Sequence, residues 1–233
     1  MVHAQAVSEP VVSTPQPRRP PWRPPGPPDN EVPHSVPVHT LLGRGPDAVM
    51  FLTGAQGYST GVAFSVAVRL RRRFDDYRGN IHMELIGGLP RGASHDPDSR
   101  LMMGVEFSDG RRASMRSALD PSQRADTSGD SAVVSLLAMP AGSVSELSLD
   151  SRLWMRPLPT PGPLLMVIRW QALGIEETVA ELDGTALATA GASATILWPP
   201  VPPDDRQPPP PPPPPTNGWF ADNSKRSGCT RLH

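Results

Sequence analysis

The sequence predicts an all-β fold: an antiparallel β-sandwich of about seven to nine strands with one short C-terminal helix, flanked by disordered proline-rich tails. Three observations carry that expectation. Prolines are unevenly spread: of 32, eleven fall in residues 1–40 and twelve in 199–215, leaving nine for 41–198. Between the tails, apolar residues recur at every second position, the period of a strand and not of a helix. Clusters of Gly, Pro, Asn and Asp punctuate those runs at short intervals, as turns do. The proline boundaries give three parts: an arm over 1–40, a β-sandwich domain over 41–198, and a poly-proline spacer with a tail over 199–233. A middle part of that length can bury roughly 70% of its unfolded surface in one core.

Residues 1–40 hold too little apolar surface to offset chain entropy, so disorder with polyproline II character is expected there. Within RRPPWRPPGPP (18–28), Arg18, Pro21 and Pro24 have the spacing that suits an aromatic-lined groove for proline ligands, with the arginine meeting an acidic rim. AVMFL (48–52) reads as a weak strand. In STGVAFSVAVRLRRR (59–73), Val62, Phe64, Val66, Val68 and Leu70 share one face and Ala63, Ser65, Ala67, Arg69 and Arg71 the other, a long half-buried strand. NIHMELIGG (80–88) is another weak strand. LMMGVEFSDGRRASM (101–115) alternates through Leu101, Met103, Val105 and Phe107. Asp109-Gly110 then offers the positive φ angles of a tight hairpin turn.

AVVSLLAM (132–139) and ELSLDSRLWM (146–155) continue the series. In LWMRPLPTPGPLLMVIRW (153–170), four prolines in seven residues block both helix and ladder, so two strands joined by a stiff turn are predicted. The second, with Leu165 and Val167 apolar beside Leu164, Met166, Ile168 and Trp170, reads as buried on both faces for part of its length. Arg169 ends that apolar run, far short of the roughly 20 residues a membrane span needs. EETVAELD is a final strand. Thr185 to Ala194 suits one short helix capped by Asp183 or Thr185, weakened by Gly191 by about 1 kcal/mol relative to alanine. Leu197 and Trp198 are expected to tuck the chain back onto the core before Pro199.

Composition excludes several function classes. A net charge of −1 gives no electrostatic case for nucleic acid or an anionic membrane. Lys225 is the only lysine and Cys229 the only cysteine, so an intrachain disulfide and a Cys-based zinc site are out of reach. MVHAQAVSEP lacks the charged start and apolar run of a secretory signal. A soluble cytoplasmic protein is the expectation.

The runs YSTGVAFSVAVRLR (58–71), LMMGVEFSDGRR (101–112) and LWMRPLPTPGPLLMVIRWQALGIEETVAELDGTALATAG (153–191) resemble a group of uncharacterised actinobacterial proteins. That group carries similar YxTGxxF, FxDGRR and PLPPPGPL…W…GI…LDG patterns. The resemblance covers much of 50–198 and neither tail. It implies one folded β-rich domain and no activity or ligand.

Several short motifs carry side chains suited to chemistry. Gly57-Tyr58-Ser59-Thr60-Gly61 fits G-x-S-x-G, but a nucleophile elbow needs a helix after the turn, and period-2 sequence follows. A β-turn with Tyr58 packing at the start of the strand is the expected role. His95, Asp96 and Asp98, with Asp75 and Asp76 upstream, offer metal-binding side chains in a Gly/Pro/Ser-rich loop, without a second histidine at ligand spacing. His34 and His39 sit at the end of the arm. Arg71, Arg72 and Arg73 beside Phe74 and Tyr77 could meet phosphate and bases, but Asp75 and Asp76 cancel much of that field, and a charged soluble turn is expected. No phosphate-cradling glycine loop occurs. In the C-terminal tail, Pro208 to Pro215 form a spacer of roughly 25 Å. Trp219 and Phe220 follow it as a candidate docking pair.

The expectation for function is therefore a non-enzymatic binding or assembly module acting through the β-sandwich surface, with no catalytic residues, metal or cofactor, and another protein as partner. Two alternatives stand beside it: a serine hydrolase using Ser59, and a proline-ligand scaffold acting through Arg18, Pro21, Pro24, Trp219 and Phe220.

Overall fold

Alternating side chains make strands of most of the described residues. The structure, a computed structural model, describes residues 26–73, 85, 100–117 and 133–199. The strands there are β1 Glu31–Val32, β2 His34–Val36, β3 Thr40–Arg44, β4 Ala48–Tyr58, β5 Gly61–Leu70, β6 Leu101–Glu106, β7 Arg112–Ser117, β8 Ser135–Val144, β9 Ser148–Arg156, β10 Pro163–Trp170, β11 Ile175–Asp183 and β12 Thr195–Ile196. Among the described residues a 3-10 turn spans Gln171–Leu173 and an α-helix, α1, spans Gly184–Ala192. None of the described helices is long and apolar enough to cross a membrane.

Ten strands form one curled sheet in the order β11-β10-β6-β7-β8-β9-β5-β4-β2, with β3 also paired to β4, while β1 and β12 form a separate pair. All pairings are antiparallel except β7 with β8, which run parallel from Met115↔Leu136 to Ser117↔Ala138. The sheet is thus mixed, and the expectation of antiparallel pairing throughout is corrected there. Residues 118–134 separate these two strands, a length that can return the chain to the same end, as a hairpin cannot. The curl brings β3 to β11, where the Thr178 hydroxyl donates to the Leu42 carbonyl at 2.5 Å. Glycine permits that approach: a Cβ on Gly43 would lie 2.5 Å from Cγ2 of Ile175.

One core fills the curl. It takes Val62, Phe64, Val66 and Val68 from β5, Met103 and Val105 from β6, and Leu164, Met166, Ile168 and Trp170 from β10. Those are the inward faces that alternation assigns. On β10 the other face, with Leu165, Val167 and Arg169, is only half-buried, so burial on both faces is corrected to burial on one. The strand buried on both faces is β5, whose Ala63 joins Tyr58, Leu137 and Trp154 in a second cluster. Tyr58 meets Trp154 edge to face, with ring centroids 5.7 Å apart.

The proline run between β9 and β10 does not make them neighbours, because β6, β7 and β8 lie between them in the sheet. It crosses the end of the curl instead and is pinned there. The Gly162 N–H donates to Thr185 Oγ1 at 2.9 Å, and the Ser108 hydroxyl bonds Thr160 Oγ1 at 2.8 Å. The Arg156–Pro157 peptide is cis.

The β6–β7 hairpin also differs in detail from expectation. Only Gly110 takes a positive φ, +85°. The Phe107 N–H bonds the Arg111 carbonyl and the Gly110 N–H bonds the Phe107 carbonyl, which makes a three-residue loop and not a two-residue one. The Arg111 backbone N–H, above all, holds the Asp109 carboxyl below the usual carboxylate range. At α1 the expectation holds: Asp183 caps the helix by accepting from the Ala186 N–H at 3.0 Å. The strand expected over 80–88 lies outside the described residues save Leu85, which is buried and not extended.

Order begins before residue 41. β1 and β2 fall inside the segment expected to be a disordered arm, and the physical reason is partnership. β2 pairs with β4, His34↔Gly57 to Val36↔Ala55, and β1 pairs with β12, Glu31↔Ile196 and Val32↔Thr195. The Leu197 N–H donates to the Asn30 carbonyl at 2.9 Å, and Asn30 Nδ2 donates to the Trp198 carbonyl at 2.7 Å. Backbone pairing holds β1, and in β2 it is joined by Val36, half-buried against the core. Leu197 and Trp198 do not tuck into the core; both stay about half exposed, at 48% and 52%.

Candidate functional site

The outward residues of β11, β10, β6 and β7 stand in register. Val167 pairs with Val179 on one side and with Gly104 on the other, and Gly104 pairs with Ser114. Next along, Arg169 pairs with Met102. Gly104 presents no side chain, so this row of the sheet has a gap between its taller neighbours. The result is a groove of about 450 Å³ lined by Met102, Gly104, Ser114, Met115, Val167 and Arg169, with Arg100 and Glu177 also on its wall. Met102 is 56% exposed, and Val179, beside Val167 in register, is 61% exposed. Large apolar side chains this exposed on adjoining strands mark a candidate contact surface.

The polar groups of the groove are set by a β-bulge. Ile168 pairs with Thr178 and Trp170 with Ile175, so Arg169 faces both Glu176 and Glu177 of β11. Glu176 is engaged by Gln171 Nε2 at 3.0 Å. Arg169 is half-buried as a residue, and among the described residues its guanidinium has no ion pair or side-chain hydrogen bond. In the sequence Arg169 ends an apolar run, and Gly104 is one of the small residues alternating with Leu101, Met103 and Val105. The sole signal in the sequence was an arginine in phase with Leu165 and Val167 on the outward face.

A second cavity of about 420 Å³ lies between β2 and α1, with His34, Asp183, Thr185, Thr189 and Ser193 on its wall. Its polar groups largely serve the helix and its connector. Asp183 caps Ala186, Thr185 accepts from Gly162, Thr189 bonds the Thr185 carbonyl and Ser193 bonds the Thr189 carbonyl.

Ser59 occupies the two-residue turn of the β4–β5 hairpin, closed by Tyr58↔Gly61. A strand follows it and not a helix, so the elbow geometry is missing. Both its backbone N–H and its hydroxyl bond the Glu31 carboxylate, the former at 2.8 Å. The hydroxyl therefore sits on a carboxylate of β1, not on an imidazole. Tyr58 packs on Trp154 as the turn reading expects.

The arginine cluster after β5 is largely paired: Arg72 bonds Asp47 at 2.8 Å and Arg73 bonds Glu146 at 3.2 Å. Phe74, Asp75, Asp76, Tyr77, His95, Asp96 and Asp98 lie outside the described residues. So do the five candidate docking residues, Arg18, Pro21, Pro24, Trp219 and Phe220. Among the described residues no group of three metal-ligating side chains comes together.

No family model, no curated protein and no solved structure matches the chain. The resemblance to the actinobacterial group rests on its three quoted runs alone.

Proposed function

We propose that the curled sheet works as a sandwich-like, non-enzymatic binding module whose contact surface is the outer face of β11, β10, β6 and β7. One observation carries this reading: the gap at Gly104, flanked by exposed Met102 and half-buried Val167, is an open apolar groove on an otherwise paired sheet. Burial of apolar area supplies the affinity at roughly 25 cal/mol per Å². A single cysteine, Cys229, suits a reducing compartment such as the cytoplasm.

A neutral apolar dye tests the reading. Nile red fluorescence is expected to rise saturably with the native chain and to fall by more than about half in the M102E/V179E variant, whose charges raise the cost of apolar burial. Equal fluorescence from both proteins would remove the outer face from consideration.

A second reading has its own observation. The β1–β12 pair and the Asn30 hydrogen bonds hold residues 30 and 198 together, so the proline-rich segments on either side of the domain start from one place. That arrangement favours a proline-ligand scaffold using both tails. The serine hydrolase alternative has no such support in the hairpin around Ser59.

A further inference from the structure

Resting on the groove reading above, we propose that the groove is a binding site for a small amphipathic anion: one carboxylate on an unbranched aliphatic chain, held head-first on Arg169. The charges indicate the head. Arg100 and Arg169 line the groove, and neither forms an ion pair or a side-chain hydrogen bond among the described residues. Glu177 is the one opposing charge on the wall, and it pairs with neither. A guanidinium left unpaired beside an apolar groove gains from a carboxylate, which it grips through two parallel N–H donors.

The apolar side indicates the body. Gly104 leaves the floor low, while Met102 and Val167 rise around it. Methionine is flexible and polarizable, so such walls follow a linear chain without demanding one shape. A groove of about 450 Å³ lies in the size range of small-ligand sites.

The backbone argues against a peptide. β10 is paired on both edges from Leu165 to Ile168, and β6 on both edges from Gly104 to Glu106. A peptide laid over this floor finds its ladder groups already used, so its own N–H and C=O groups would go unmatched. An aliphatic acid has no such groups to match.

The test uses the full chain and three probes of equal length in isothermal titration calorimetry: decanoate, decanol and decyltrimethylammonium, each below its aggregation limit. Decanoate is expected to bind at one site per chain, at least about tenfold tighter than decanol, the size of one charge-assisted hydrogen bond. R169L removes that preference without weakening decanol. E177Q strengthens decanoate severalfold, and G104L, which fills the floor, abolishes binding of both probes. Circular dichroism and thermal midpoints matched to the parent show that each variant is folded. Equal affinities for decanoate and decanol overturn the carboxylate assignment and leave the apolar groove standing. Decanoate binding untouched by R169L places it elsewhere and overturns the site. No binding by any probe, with Nile red still captured, rejects the aliphatic-acid proposal alone, and loss of both rejects the groove itself. A dimer in sedimentation that M102E dissociates gives the groove to a second copy and also overturns the proposal.

Discussion

Tyr58 shows how much one side chain can report. Burial raises its phenol above the ordinary value of 10.0, with Arg152 opposing the rise and Glu31 adding to it. A folded value above the unfolded one means that the folded chain keeps this proton longer. The stability Tyr58 contributes is therefore complete below the ordinary value and is lost as pH rises through the folded one. Urea unfolding from about pH 9 to about pH 11 is expected to show a steeper loss of stability for the parent chain than for Y58F. Parallel slopes would contradict the burial of this ring. The G-Y-S-T-G string allowed this role to be read, since a strand-like pattern follows it. The Glu31 contact was not legible, because it joins positions in what read as separate parts of the chain.

At the level of elements, period-2 sequence located β5, β6, β9, β10 and β11, and the start of the alanine-rich run offered Asp183 or Thr185 as the cap of α1, of which Asp183 serves. Replacing that cap, D183A, is expected to cost about 1 kcal/mol, read as a lower denaturant midpoint at unchanged slope. No change in midpoint would show that the Ala186 N–H finds another partner at no cost. Alternation says which face of a strand is buried but not which strand lies beside it. Hence the separation of β9 from β10 and the parallel β7–β8 pair were invisible, each depending on contacts between distant segments. The groove was hidden for a related reason. Gly104 becomes a gap only when Val167 and Ser114 are known to flank it.

For the whole molecule, the joining of residues 30 and 198 changes what the tails can do. Under the scaffold reading, two proline segments that start together would act on one partner as a linked pair, and linkage raises avidity beyond either segment alone. If the scaffold reading holds, a bivalent proline-reading domain should bind the full chain at least about tenfold more tightly than the variant R18A/P21A/P24A. W219A/F220A would show whether the distal pair adds to capture. Affinities unchanged in both variants would leave the tails as spacers. Proline counts alone set the boundaries expected for the tails. Those counts could not reveal the tails' common origin, because β1 and β12 are two residues each and carry no period.

That two-residue pair also decides how the domain answers mechanical load. Glu31 opposes Ile196 and Val32 opposes Thr195, so both tails leave from the same end of the pair. Tension drawing them apart opens it like a zip, one rung after another, and never shears the rungs together. The long β4–β5–β9 ladders stay unloaded until this small fastening has parted. A pull on the tails thus lengthens the chain first at its ends, with the curled sheet and its groove intact behind.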